Sequence, residues 1–319
     1  MRHLPSAVLR FLVVAPVALT APIAASAASV VTGTQATYSL TSALVEDTPI
    51  QVVNVPEDGR EMAVLADYIG RRMDRLGPVF AEADAVVSLT NALPGDPLYR
   101  FARQANIRIV DIDAAVPWLL SMPGVALTDS PASNVEWGTG TDAPSSATAP
   151  YFWLSISNAI RMADIIAHDL SEIFPDSADA IARNLQRLKR TLLGLRGDYQ
   201  SRLIAAGDDT VFALTGDFVY LTNDMGLYVD GYFIKQDIRW TEEDLARLSR
   251  HLENHGVRVV IHEWMPSEAI QAAIAAADAE LVVLQSGDQG ILDDGSLAAD
   301  GLQQILRNNL ETLTNALRR

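Results

Sequence analysis

The chain has 319 residues, no cysteine, and 40 acidic against 24 basic side chains, a net charge of −16 at pH 7. The missing cysteines exclude a disulfide framework and any cysteine-based metal or redox centre. The acidity disfavours nucleic acid and anionic lipid as partners, and favours cationic ones where it does more than keep the protein soluble.

In chain order, residues 1–27 read as a secretory signal peptide: Arg2, His3 and Arg10 precede the apolar run FLVVAPVALTAPIAA, which closes on Ala25-Ser26-Ala27 in the A-x-A pattern of a cleavage site. Pro16 and Pro22 interrupt that run, and it falls short of the roughly 20 residues a spanning helix needs. The expected product is a soluble periplasmic protein, without a cysteine to carry a lipid. What remains is long enough for about two domains of ordinary size.

Between 28 and 153, short β-branched runs alternate with helical stretches: strands 29–33, 50–54, 84–89 and 107–112, helices 36–46, 61–76 and 96–105. That alternation predicts an N-terminal α/β lobe with a parallel sheet. Its tail, 124–150, is rich in Gly, Ser, Thr, Asp and Pro and has no hydrophobic period, which predicts a flexible loop or flap. The GTGTD within it lacks the preceding strand and following helix of a phosphate cradle.

Residues 154–206 predict a helical linker, with one helix over 157–173 broken by Pro175 and a long one over 177–206 opened by Asp176 and Ser177 as capping candidates. Ile181, Leu185, Leu188, Leu192, Leu195, Tyr199 and Leu203 step by three or four and make one apolar face. A rod of about 45 Å outruns a single small lobe, so it joins two. From 207 to 319 the alternation resumes, with strands 210–214, 229–234, 257–262 and 280–285 and helices 217–226, 242–255, 266–277 and 299–317. The fold class is therefore α/β: two parallel-sheet lobes joined by one long linking helix.

In open parallel sheets ligands sit beyond the carboxyl ends of the strands. That places a site among the loops 56–61 (PEDGRE), 90–96, 150–155, 215–220 (TGDFVY), 263–267 (EWMPS) and 286–294 (SGDQGILDD). At the end of one predicted strand His262 and Glu263 point to opposite faces, so one meets the site and the other packs. His251 and His255, four apart on a helix, have the spacing to grip a metal, or are solvated residues that complement a helix C-terminus before Gly256. Phe152 and Trp153 read as core. GDQGILDDGSLAADG has the acidity of a calcium loop without its spacing. No G-x-S-x-G or H-E-x-x-H is present, and no enzyme is expected.

Four stretches resemble, in order, the periplasmic solute-binding proteins of zinc and manganese ABC importers, the ZnuA and TroA type. AEADAVVSL (81–89) is similar to that family's A-D-A-D-L-V-V strand. FWLSISNAIRMADIIAHDLSEIFPDSADAIARNLQRL is similar to its H-x-W-L-D-P-x-N-A helix and the break after it, FVYLTNDMGL (218–227) to A-F-x-Y-F-x-x-x-Y-G-L, and QQILRNNLETLTNAL (303–317) to its last helix. The resemblance implies a monomeric periplasmic protein that hands one divalent metal ion, such as zinc or manganese, to an inner-membrane ABC permease, with modest lobe movement about a stiff helix.

Carried over one at a time, the family's three histidine positions fall near Arg60, on Tyr151 and on Thr215. The glutamate position falls on Glu263, and the final aspartate at or near Gln285, with Asp288 three residues on. Two readings follow. In one, Asp217, Glu263 and Asp288, with Glu57 and Asp58, form an oxygen-rich site suited to manganese, calcium or another hard cation. In the other, Tyr151, Trp153, Phe218 and Trp264 wall a pocket for a non-metal solute with Arg60 as an anion clamp, or the chain is a degenerate accessory homologue that has lost the metal site.

Overall fold

A computed structural model describes residues 28–138, 140–144 and 146–318; the expected signal peptide lies outside them. Four parallel strands, β1 (Ser29–Thr32), β2 (Gln51–Asn54), β3 (Ala85–Ser88) and β4 (Val110–Asp113), form one sheet in the order β2-β1-β3-β4. A second parallel sheet repeats the order as β6-β5-β7-β8, from β5 (Thr210–Ala213), β6 (Tyr228–Tyr232), β7 (Val259–His262) and β8 (Glu280–Val283).

Each central strand is apolar on both faces, as a sheet covered by helices on both sides demands. Val30 and Val87 face a central core while Val31 and Val86 face an outer one. In the second sheet Val259 and Ile261 face the same central core, and Phe212 and Val260 face a third. The central core is therefore shared by both sheets. It is filled by α1 (Gln35–Leu44), α5 (Ile156–Ile173), α6 (Ala178–Ala206), the short α7 (Val219–Met225) and α10 (Gly301–Leu317). The outer face of the first sheet is covered by α2 (Met62–Gly70), α3 (Met73–Glu82) and α4 (Leu98–Ala105), that of the second by α8 (Glu242–His255) and α9 (Glu268–Ala276).

The 29-residue α6 packs on α5 and α10 and ends at Gly207, which takes the left-handed conformation at φ 75°. Ile181, Leu188, Leu192, Tyr199 and Leu203 are buried along it, while Leu185 and Leu195 are partly buried against the same core. Asn184, on the buried face, donates to the carbonyls of Leu44 and Glu46 at 2.9 and 2.7 Å, satisfying the end of α1. The helix expected over 61–76 is two helices, α2 and α3, which part just after Gly70; glycine inside a helix costs about 1 kcal/mol relative to alanine.

The 124–150 segment has no helix and a single isolated bridge, Asp129 to Thr148, among its described residues. Yet it is fastened to the edge strand β6: Tyr232 N–H donates to Asn134 Oδ1 at 2.7 Å, and Ile234 N–H to Ser133 Oγ at 2.8 Å. Trp137 stacks on Phe212 with ring centroids 6.5 Å apart. The segment thus covers a sheet edge that would otherwise present unpaired backbone.

Two contacts join the lobes beside the strand ends. The buried Gln35 side chain donates to Ala298 O and accepts from Ile291 N–H, both at 2.9 Å. Gly290 N–H donates to Gly59 O at 2.7 Å. Gly59 sits at φ 57°, where a Cβ would lie 2.5 Å from Leu297 Cδ1 and 3.0 Å from Gly290 Cα. Gly59→Ala is expected to destabilise the protein by about 1–3 kcal/mol, through left-handed strain and the clash together. A urea midpoint equal to that of the parent would show that the two loops need not touch.

Candidate functional site

The carboxyl ends of both sheets open on one cleft of about 640 Å³, whose lining includes Glu61, Tyr151, Glu263, Trp264, Ser286 and Asp288. Glu61 is the last residue before α2, and the Met62 N–H that starts this helix donates to Asp288 Oδ1 at 2.9 Å. A helix start in one lobe thus holds a carboxylate of the other, where unpaired N–H groups favour negative charge. The Tyr151 hydroxyl is 3.5 Å from Asp288 Oδ2. Trp153, fully buried one turn into the same segment, donates its indole N–H to Ser286 O at 2.9 Å.

Glu263 follows β7, and its N–H donates to His262 Nδ1 at 2.9 Å. His262 is buried, which holds its pKa down to about 4, so its ring is neutral and keeps the lone pair that accepts this bond. His262 is the packed member of the pair and Glu263 the one in the cleft. On the neighbouring strand end, the Thr215 hydroxyl donates to the Asp217 carboxylate, and Asp217 N–H donates back to Thr215 Oγ1 at 3.3 Å.

The electrostatics of the cleft are those of crowded, partly dehydrated acids. Burial, followed by the carboxylates of Asp217 and Asp288, pushes Glu263 up to about 7, against the lowering effect of the Ser286 hydroxyl. Burial also raises Asp288, opposed by the Met62 N–H. The Tyr151 phenol is raised by burial and then by Asp288, Glu263 and Asp217, so it stays a neutral donor and acceptor.

Of the residues expected from the sequence, Tyr151, Glu263, Trp264, Gln285 and Asp288 line the cleft, and Asp217 lies close enough to act on Glu263. Thr215 meets it through Asp217. Gln285 is anchored by its backbone, whose N–H and carbonyl pair with the Asn309 side chain. Arg60 is not brought in: it bonds Asp58 at 2.8 Å and lies 5.3 Å over the Tyr68 ring, on the outside. Glu57 pairs outward with Arg75 at 3.3 Å. Phe218 and Trp153 are buried in the core and do not wall the cleft. Glu61 and Ser286 lie in two of the expected loops, 56–61 and 286–294, but were not singled out as site residues; the position of Glu61 just before a helix start was the signal available for it.

Among the described residues one trio of His, Asp or Glu side chains has ligand atoms all within 4.8 Å of one another, and it is Asp230, His251 and His255. Glu263 and Asp288 line the cleft and Asp217 acts on both, without the three being drawn together as tightly.

The zinc-uptake complex component A family, periplasmic, matches residues 30–316. The chain belongs to this ZnuA family. Among solved structures, a mutant of FpvC from Pseudomonas aeruginosa is 23% identical, covers 91% of this chain and 99% of its own, and superposes with a TM-score of 0.69. FpvC from the same organism in complex with Mn2+ is 22% identical over 92% of this chain and 99% of its own, with a TM-score of 0.65. A ZnuA structure is 18% identical over 91% of this chain and 99% of its own, with a TM-score of 0.63. These likenesses establish the fold. No curated protein matches the chain. The cleft of this ZnuA-family protein has Tyr151 where the resemblance places one of the imidazoles, and no histidine is among its described lining residues.

Proposed function

We propose that this protein is the exported, monomeric solute-binding component of an ABC importer, and that its cargo is a divalent cation taken by oxygen donors, with Asp217, Glu263 and Asp288 as the ligands. The observation that carries the reading is the set of carboxylates Glu61, Glu263 and Asp288 on one cleft, with Asp217 close enough to act on Glu263, and no lysine or arginine among the described lining residues. Such a cluster keeps a proton on Glu263 to limit its own repulsion, and a cation takes the place of that proton. An all-oxygen donor set suits hard ions such as manganese or calcium better than zinc. Tyr151, Ser286 and water complete the shell as neutral donors.

In this reading residues 1–27 direct export, and lobes 28–153 and 207–319 draw together on the ion about the helical unit 154–206. The shared central core keeps that movement small. The loaded form delivers its ion to an inner-membrane permease and not to nucleic acid, which an acidic surface repels. The test is elemental analysis of the purified mature protein, then titration with Mn2+, Ca2+, Zn2+ and Mg2+ while thermal unfolding is followed. One equivalent of a hard cation and a rise in Tm are expected. No bound element and no shift with any ion would remove the proposal.

A further inference from the structure

Away from the cleft, the outer face of the C-terminal lobe carries the tightest cluster of ligand atoms among the described residues. His251 and His255 stand four apart on α8 with ring centroids 4.0 Å apart. His251 Nε2 is 2.6 Å from Asp230 Oδ2, and His255 Nδ1 is 3.0 Å from Asp230 Oδ1. None of the three lines the cleft.

The backbone is built to bring Asp230 there. Along the β5–β6 pair Val211 faces Val229 and Phe212 faces Gly231, so Asp230 is the extra residue of a β-bulge. A bulge leaves its additional residue unpaired and re-aims its side chain. At Gly231 a Cβ would lie 2.8 Å from Phe212 Cε2, so glycine lets the strand pass close to that ring. His251 in turn is held between aromatic walls, with Phe212 at 5.2 Å and Trp137 of the 124–150 segment at 4.9 Å between ring centroids. His255, by contrast, is 48% exposed, leaving one side of the cluster open to water.

We propose that Asp230, His251 and His255 form a second cation site, selective for a borderline first-row ion such as zinc, cobalt or nickel. Two imidazole nitrogens at i and i+4 on a helix, with one carboxylate opposite, give the N2O donor set these ions prefer, and water takes the open fourth position. Without the ion, the same atoms form a hydrogen-bonded triad in which each ring donates an N–H to one carboxylate oxygen. On loading, each neutral ring moves that proton to its other nitrogen and gives the freed lone pair to the ion, while Asp230 turns its carboxylate from the two N–H groups to the metal. The two sites then divide by chemistry: oxygen donors in the cleft for a hard cargo, nitrogen donors here for a borderline ion beneath the 124–150 segment.

Cobalt(II) alone is the probe, because its visible d–d absorption is intense in a four-coordinate site and weak in a six-coordinate oxygen site. The full mature chain is expected to develop this band, and Glu263→Gln to keep it. His255→Ala, at a half-exposed position that leaves the fold intact by circular dichroism, is expected to lose the band. Asp230→Asn should weaken binding by more than the roughly 10- to 100-fold that loss of a mere supporting group costs. Excess zinc should bleach the signal in the parent. Loss of the band in Glu263→Gln with retention in His255→Ala would place all cobalt in the cleft and overturn the second site, as would no band in the parent.

Discussion

Glu263→Gln is expected to do two opposite things: abolish the stabilisation that the parent gains from Mn2+, and make the cation-free protein more stable at pH 8. The first effect follows from the loss of the most perturbed carboxylate in the cleft. A ligand at 100 times its dissociation constant stabilises the native state by about 2.7 kcal/mol, and the variant should show none of that gain. The second follows from linkage. Glu263 ordinarily titrates at 4.5 and is pushed up to about 7 in the fold. Between those values the folded protein keeps a proton that the unfolded chain has released. The resulting stability is fully present below 4.5 and is lost as pH rises through about 7.

Discounted for solvent screening at a partly exposed group, the loss is about 1–2 kcal/mol. The glutamine carries no such charge. Asp111, which burial pushes up to about 6, and His262, held down to about 4, titrate in both proteins. The difference between parent and variant melting curves from pH 5 to 8 therefore reports Glu263 together with the carboxylates that act on it. Parallel curves across that range, or a variant that still responds to Mn2+, would take Glu263 out of the site. A binding cleft that is less stable empty than its own knockout is the usual cost of gathering like charges before the ligand arrives.

The sequence made the architecture legible because each element there depends on local pattern. Two-faced apolar strands, the three-and-four spacing along 181–203 and the polar stretch 124–150 all follow from periodicity and composition. The loops around the cleft followed from the rule of strand ends. What sequence could not supply is direction within a loop. In PEDGRE, Arg60 and Glu61 are adjacent, yet Arg60 turns out to Asp58 and Glu61 reaches the cleft. That choice depends on the start of α2 and on Asp288, 226 residues away from its partner Met62. Asp230 is another such case: the bulge that turns it to His251 and His255 is set by pairing with β5, and no local pattern marks it. Trp137 likewise sits in a stretch without period, and only the aromatic wall of the second lobe gives it a place.

Trp153→Ala is expected to have the largest effect on stability, a loss of about 3–5 kcal/mol read as a fall in Tm and in the urea midpoint. Trp153 is among the largest fully buried side chains, edge-on to Phe152 at 5.5 Å and beside Tyr151 at 5.6 Å between ring centroids. Its removal opens a cavity where the segment leading into α5 meets the second lobe, and leaves the buried Ser286 carbonyl without the indole donor. Trp153→Phe separates these two losses. The ring keeps most of the apolar burial, while the missing N–H costs about 1–2 kcal/mol at the Ser286 carbonyl. That carbonyl belongs to the turn in which Asp288 N–H donates to Ser286 Oγ at 3.3 Å, so the indole bond fixes the turn that presents Asp288. Mn2+ affinity should therefore drop by about tenfold or more in Trp153→Phe, although no ligand atom has been changed. Unchanged affinity with reduced stability would make Trp153 a core residue alone. Weakened binding would show that the aromatic entry to α5 holds the ligand turn from behind, while Tyr151, two residues earlier, meets Asp288 from the front.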